Sequence, residues 1–271
     1  MIGLYAKAAA GAVLPRAKSL PDTVLSRSVT PSVGHLADYA AVCGFPLSDV
    51  LPPTFPHVLA FPLQIELMAS RSFPLALPGL VHVANTITVR RAIGLGEQLD
   101  VRVRAERFAA HARGAQVDLV SSISAAGSVV WEGRSTYLAR GAQAPTGVAG
   151  ELPEVAVPEG AASAVWRLPG DLGRRYAAVS GDVNPIHLNP VTAKAFGFPR
   201  TIAHGMWTAA HALASLQGRV PEALTYTVQF RKPLLLPSTV ELATEQADGG
   251  WNLAVRNRKG SVHVAGAVHP A

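Results

Sequence analysis

Tyr176-Ala-Ala-Val-Ser-Gly181-Asp-Val-Asn-Pro-Ile-His187 is the stretch on which the reading of this chain turns. Its first six residues occur once before, with one change, as Tyr39-Ala-Ala-Val-Cys-Gly44, 137 positions earlier. Beyond the shared hexapeptide the two copies diverge. The second runs on into a carboxylate (Asp182), an amide (Asn184) and an imidazole (His187); at the same offset the first has Phe45 for Asp182 and Val50 for His187. One copy keeps a polar cluster that the other lacks, and this locates the chemistry.

Two further matches extend the duplication. Phe55-Pro-His-Val-Leu-Ala60-Phe-Pro62 aligns with Phe198-Pro-Arg-Thr-Ile-Ala203-His-Gly205 at an offset of 143, which implies six extra residues in the second copy. Ile87-Thr-Val-Arg90-Arg91-Ala-Ile aligns with Val228-Gln-Phe-Arg231-Lys232-Pro-Leu at an offset of 141. Three matches in one order describe two copies of a unit of roughly 130 residues, the size of a small domain.

Composition sets the bounds. A chain of 271 residues can bury a large core, and 49 % hydrophobic with 15 % charged residues describes a packed chain instead of a disordered one. The single cysteine, Cys43, rules out an intrachain disulfide framework and fits a reducing compartment. No apolar run is long enough to span a bilayer. Met1 to Leu14 is Ala-rich and faintly like a signal peptide, but no small-residue cleavage site comes after it, so a cytoplasmic protein with a loose N-terminal segment is expected. The net charge of +6 suits an acidic ligand, yet it is spread without a basic run, which argues against nucleic acid.

Period and punctuation give the elements. Helical pattern covers Gly34–Val42, Leu172–Val179 and, most strongly, Gly205–Gln217, which is apolar on most faces and therefore expected to be buried. Strand pattern covers Val81–Val89, Leu99–Arg107, Gln116–Ser124 and Val129–Ala139, then Leu224–Phe230, Val240–Gln246, Trp251–Arg256 and Ser261–Val268. Each half thus reads as helical material and then about four long strands. The division expected is 1–140, a linker at 141–163 rich in Gly, Pro, Ala and Val, and 164–271. Leu51–Pro62 reads as a Pro-rich loop, and with Leu75–Leu80 it is expected to line room for a long apolar tail.

A buried helix wrapped by a long antiparallel sheet, present twice, is the α+β arrangement of a double hotdog. Gly181-Asp-x-Asn-Pro-x-His187, with Ala193 beyond it, resembles the signature of the MaoC-like, R-specific enoyl-thioester hydratases. Ala203-His-Gly-Met206 and Phe230-Arg-Lys-Pro233 also resemble that family's pattern. The whole chain is similar to its double-hotdog members, in which the N-terminal hotdog has lost the motif. The resemblance implies a hydro-lyase that interconverts enoyl and (R)-3-hydroxyacyl thioesters of coenzyme A or acyl carrier protein in fatty-acid metabolism, without metal or other cofactor. Asp182 and His187 are its implied catalytic pair, with Asn184 holding the loop or the water and the Gly205 N–H as oxyanion donor.

The chemistry asks for these groups. Hydration of an enoyl thioester needs a water held at the β carbon, a proton for the α carbon, and a donor for the charge on the thioester oxygen. A carboxylate and an imidazole five residues apart, around a proline that fixes the turn, can share one water. A glycine opening a helix offers an unpaired N–H and close approach. His204 stands ready to hold the loop or touch substrate, and Arg231-Lys232 to bind the carrier's phosphates; the repeated Arg90-Arg91 leaves open a plain solvated strand end. The alternatives on the same fold are thioester hydrolysis and a non-enzymatic acyl-thioester-binding subunit. A hotdog buries its helix by pairing, so the two halves are expected to form an internal pseudo-dimer, with a homodimer of the chain as the further assembly.

Overall fold

The structure, a computed structural model, describes residues 15–145, 149–247 and 249–271. The Ala-rich stretch from Met1 to Leu14 lies outside them. The first half runs β1 (Leu25–Val29), α1 (Val33–Cys43), α2 (Phe55–Ala69), β2 (Leu80–Val89), β3 (Leu99–His111), β4 (Gly114–Ala125) and β5 (Ser128–Arg140). The second runs β6 (Ala164–Leu168), α3 (Leu172–Ser180), α4 (Pro185–Leu188), α5 (Pro190–Ala195), α6 (Gly205–Ala214), β7 (Leu224–Phe230), β8 (Ser238–Ala247), β9 (Gly250–Arg256) and β10 (Val262–Pro270). All eight strands read from the sequence are present. The added edge strands, β1 and β6, have only five residues each and mostly exposed or half-exposed side chains, too weak a pattern to read.

One ten-stranded antiparallel sheet carries both halves, in the order β1-β3-β4-β5-β2-β7-β10-β9-β8-β6. Each half contributes five neighbours in the same sequence outward from the centre, so the molecule is a double hotdog with a pseudo-twofold axis at the β2–β7 seam. There Thr86 pairs with Thr227, residues 141 apart, and their hydroxyls meet at 3.4 Å. The repeated hexapeptide is a helix end in both halves. Tyr39 and Tyr176 are buried with ring centroids 6.4 Å apart, and Gly44 (φ 81°) and Gly181 (φ 73°) close α1 and α3 in the left-handed conformation that glycine adopts freely.

The second sequence match is out of register. Leu51 N–H donates to the Ile93 carbonyl (2.9 Å), and Ala203 N–H donates to the Leu234 carbonyl (2.8 Å). Ile93 and Leu234 keep the offset of 141, so Leu51 corresponds to Ala203 and Pro53, not Pro62, corresponds to Gly205. Leu51 lies seven residues after Gly44 and Ala203 twenty-two after Gly181, so the second half carries fifteen extra residues there instead of six. The cause of the misreading is plain. Leu51–Pro62 is mostly not a loop: α2 begins at Phe55 and is the buried central helix of the first half, with Pro56 in its first turn and Pro62 inside it. Shared Phe-Pro dipeptides at 55 and 198 had suggested an equivalence that the backbone does not have.

The linker between the halves straps the outer face of the sheet. Gly150 N–H donates to Ala110 on β3 (2.7 Å), Gln116 on β4 to the Glu151 carbonyl (3.1 Å), Arg231 to the Val155 carbonyl (3.0 Å), and Arg256 on β9 to the Gly160 carbonyl (2.7 Å). Val155 is buried there against Ala265 and Ala267. The helices fill the inner face, and the main core joins α1, α2, α3 and α6 to both halves of the sheet.

Candidate active site

The fifteen additional residues of the second half build the site. Asp182 leaves the end of α3, and its N–H donates to Ser180 Oγ (3.2 Å). Asn184 then does two local jobs. Its N–H donates to Asp182 Oδ1 (3.1 Å), and its side-chain oxygen accepts from Ile186 N–H (3.4 Å) as the N-cap of α4. Pro185 starts α4, a position that suits a residue without N–H. His187 comes one turn later and is buried, only 8 % exposed. Gly173 lets α3 lie directly on the His187 carbonyl, where a Cβ would collide.

His187 is held by its back nitrogen: Nδ1 donates to the Ile202 carbonyl at 2.8 Å. A carbonyl only accepts, so Nδ1 carries the proton and Nε2 keeps a lone pair for chemistry. Burial depresses the pKa of His187, opposed by the Asp182 charge and the Ile202 bond, and the ring is neutral near neutral pH. His204 lies on it with ring centroids 3.7 Å apart and planes 27° from parallel. Its Nε2 donates to the Asp182 backbone carbonyl (3.0 Å) and stands 3.8 Å from Asp182 Oδ2. Burial, with neighbouring His187 second, pushes His204 down to about 3. His204 therefore acts as a neutral brace for the loop.

The potential ligand atoms of Asp182, His187 and His204 lie within 4.8 Å of one another. The arrangement suits a metal poorly. The two rings stack, with centroids 3.7 Å apart, which sets their in-plane lone pairs side by side instead of converging on a tetrahedral centre.

Gly205 opens α6, after His204 in extended conformation (φ −64°, ψ 135°). Its N–H belongs to the first helical turn, whose donors have no partner within the helix. The Phe230 ring packs against the Cα where a side chain would stand: a Cβ at 205 would lie 2.8 Å from Phe230 Cδ1. Asp182, His187, His204 and Gly205 all line one cavity of about 1310 Å³, which also reaches Arg231 and Lys232. Arg231 holds Gln229 Oε1 (3.0 Å) besides the linker, and Lys232 reaches Ser261 Oγ (3.3 Å). Among the described lining residues Asp182 is the one carboxylate, and Arg16, Arg113, Arg140, Arg231 and Lys232 also line the cavity.

The first half supplies the opposite wall. Val58, Phe61, Ile65 and Met68 of α2 and the Leu75–Leu80 segment line the same cavity, together with His57, His82 and Tyr137. These three polar residues were not found from the sequence. The only signal for the two histidines is an imidazole inside an apolar run, in Phe55-Pro-His57-Val-Leu and Val81-His82-Val83, and Tyr137 carries none.

The hotdog pair carries one polar loop, Asp182 to His187, that opens into a cavity lined by both halves, and comparison with known proteins identifies its family. Residues 169–267 match the MaoC-like domain. The chain is 42 % identical to 3-hydroxyacyl-thioester dehydratase X of Mycobacterium tuberculosis, over 97 % of this chain and 95 % of that protein. The crystal structure of HtdX from that organism superposes with a TM-score of 0.82 at 39 % identity, covering 92 % of this chain and all of the other. A MaoC-like dehydratase from Phytophthora capsici shares the fold alone, with a TM-score of 0.79 at 19 % identity over 94 % of this chain and 97 % of that one. The chain belongs to the MaoC-like dehydratase family.

Proposed function

We propose that this chain catalyses the reversible dehydration of (R)-3-hydroxyacyl thioesters to trans-2-enoyl thioesters. One observation carries the reading. A neutral, carbonyl-anchored His187 and the Asp182 carboxylate meet at the wall of a large, mainly apolar cavity beside a helix that begins with glycine.

In the hydration direction a water sits between Asp182 and His187 Nε2. Its oxygen bonds to C3, the C2–C3 π pair moves toward the thioester, and negative charge develops on the carbonyl oxygen. The Gly205 N–H and the start of α6 stabilise that charge. The proton released by the water passes through the pair to C2, and its other hydrogen stays on the new hydroxyl. Dehydration is the reverse. His204 acts as a positioning residue through the Asp182 carbonyl, and Asn184 through the Asp182 carboxylate.

The five cationic residues around the cavity favour a phosphate-bearing arm, which coenzyme A and acyl carrier protein share. We take residues 1–140 and 164–271 as the two structural units, joined through 141–163, and a homodimer of the whole chain as the assembly. Among the described residues no helix is long and apolar enough to cross a membrane. Burial pushes the lone Cys43 thiol up to about 12, an inert thiol suited to a reducing, cytoplasmic setting.

The test is incubation with (R)- and (S)-3-hydroxyacyl-CoA, monitoring enoyl absorbance and free thiol together. Enoyl formation from the R substrate alone supports the reading. Thiol release without enoyl product would replace it with thioester hydrolysis.

A further inference from the structure

The first half lacks the acid–base loop, yet it places two imidazoles, one buried and one half-buried, in the cavity wall. His57, on α2, is 3 % exposed, and His82 lies on β2. Their rings are 6.1 Å apart at 19°, and His82 also stacks on Tyr137 at 4.7 Å. His57 Nδ1 and His82 Nε2 are sealed from solvent, and neither has a hydrogen-bond partner among the described residues. Buried polar atoms are normally paired, so two orphans beside a large cavity point to a ligand.

Three observations separate this pair from ordinary core packing. The correspondence of Pro53 with Gly205 sets Ala209 of α6 against His57 of α2, so the hotdog itself does not require an imidazole there. The β2–β5 ladder breaks its register between His82 and Ala84, the kind of bulge that re-aims a side chain. The pair also faces the reaction: both rings feel the Asp182 charge, and His82 contacts Phe230 (4.8 Å), the ring packed against Gly205. Burial, its first cause in each, holds His57 down to about 4 and His82 to about 3, so both are neutral. A neutral pair facing a carboxylate suits an uncharged oxygen and not an anion.

We propose that His57 and His82 form a polar subsite in the acyl chamber that hydrogen-bonds a second oxygen substituent, a hydroxyl or keto group, a few carbons beyond the reacting centre of the thioester. This rests on the dehydratase function proposed for the chain. The subsite is one ring removed from Gly205, so the oxygen belongs beyond C3, and the rest of the wall, Val58, Phe61, Ile65 and Met68, takes the apolar remainder.

The experiment compares (R)-3-hydroxyacyl-CoA substrates of one chain length, plain or with a second hydroxyl on the fifth or the seventh carbon. In the wild type at least one hydroxylated substrate should exceed the plain one in kcat/KM. In His57→Leu and His82→Leu that ratio should fall about tenfold or more, the usual consequence of removing one partner of a buried hydrogen bond. His82→Gln, which keeps a donor and an acceptor, should restore part of it; a merely structural role would move both substrates together. If a leucine variant fails to fold, wild-type binding of saturated acyl-CoA with and without the extra hydroxyl decides the matter without turnover. Equal affinity for the saturated pair, or an unchanged ratio in folded variants, overturns the subsite. No turnover of any substrate, with the saturated pair still discriminated, overturns the dehydratase reading and leaves the subsite standing.

Discussion

The two halves share a helix end, a central helix and five strands, and they differ mainly in where extra chain is inserted. The second half adds fifteen residues between Gly181 and Ala203, folded as α4 and α5 with Asp182 and His187 at their start. Leu51 and Ile93 are forty-two residues apart but Ala203 and Leu234 only thirty-one, so the first half adds eleven between central helix and strand, where Leu75–Leu80 lines the cavity. A duplicated pocket with two identical sites must compromise between chemistry and chamber. In the proposed reaction one copy carries the reacting groups, while residues of the other line the same cavity.

The sharpest way to break this division is to remove the reacting pair. Asp182→Asn and His187→Ala should each lower turnover of (R)-3-hydroxyacyl-CoA by two to four orders of magnitude, roughly 3–5 kcal/mol of barrier. Melting should hold better for Asp182→Asn, because His187 is buried and holds the Ile202 carbonyl. Steady-state kinetics with a thermal melt on each variant checks this. Near-normal rates in either would return the chemistry to some other group.

The proposed oxyanion donor offers a cleaner contrast, because the first half already contains the experiment: Pro53 stands where the second half has Gly205. Proline suits the first position of a helix, and His204 has the extended conformation preferred before a proline. Gly205→Ala and Gly205→Pro both add a Cβ against the Phe230 ring, but only proline removes the N–H. We expect the alanine variant to lose activity through that 2.8 Å contact. The proline variant should fall a further 10²–10³ in kcat, about 3–4 kcal/mol, where a single oxyanion donor is lost. Equal rates for the two would exclude the N–H as donor.

Most of the fold was legible, for reasons that also explain what was not. Eight strands of seven or more residues carry enough alternation to read, whereas the five-residue edges Leu25–Val29 and Ala164–Leu168 do not. The central helix α2 hid behind Pro56 and Pro62, residues that in isolation mark a loop. In the candidate site, Asp182, Asn184, His187 and Gly205 line one cavity, and one loop and one helix start bring them together. His57, His82 and Tyr137 come from distant parts of the other half. Their convergence comes from β2–β5 pairing, which sets His82 opposite Tyr137, and from α2 packed beside that pair, and no local spacing encodes it.

Buried imidazoles in both halves make stability depend on pH in a defined direction. His57 is held to about 4, and His82 and His204 to about 3, in the folded state. Unfolded, each titrates near 6.5. Between those values the unfolded chain binds protons that the folded one refuses, so stability is full above about 6.5 and falls as pH drops toward 4. Each group contributes a slope of about 1.4 kcal/mol per pH unit in that window. Chemical denaturation between pH 7 and 4 reads the sum, and His57→Leu should remove about one proton from the slope. A flat profile would mean that water or a bound group satisfies these rings as cations.

The smallest effect tests the repeated basic pair. In the first half both cations are neutralised: Arg90 pairs with Glu132 and Arg91 with Glu97 at 2.7 Å. In the second half Arg231 bonds neutral oxygens of Gln229 and Val155, and Lys232 reaches only the Ser261 hydroxyl; among the described residues neither meets a carboxylate. Sequence alone could not separate a carrier-binding pair from a solvated strand end, because the two motifs read alike. The partners differ, and that difference makes the two pairs testable against each other. Lys232→Ala should raise KM for acyl-CoA several-fold with kcat nearly unchanged, since an exposed cation facing a phosphate contributes about 1 kcal/mol or less. The effect should fade between 50 mM and 500 mM salt as screening shortens the reach of the charge. Arg91→Ala, in the half whose pair is already neutralised, should leave KM where it is. If both variants shift KM equally and both shifts fade with salt, the pair acts through general surface charge, and the two halves do not differ in their hold on the carrier.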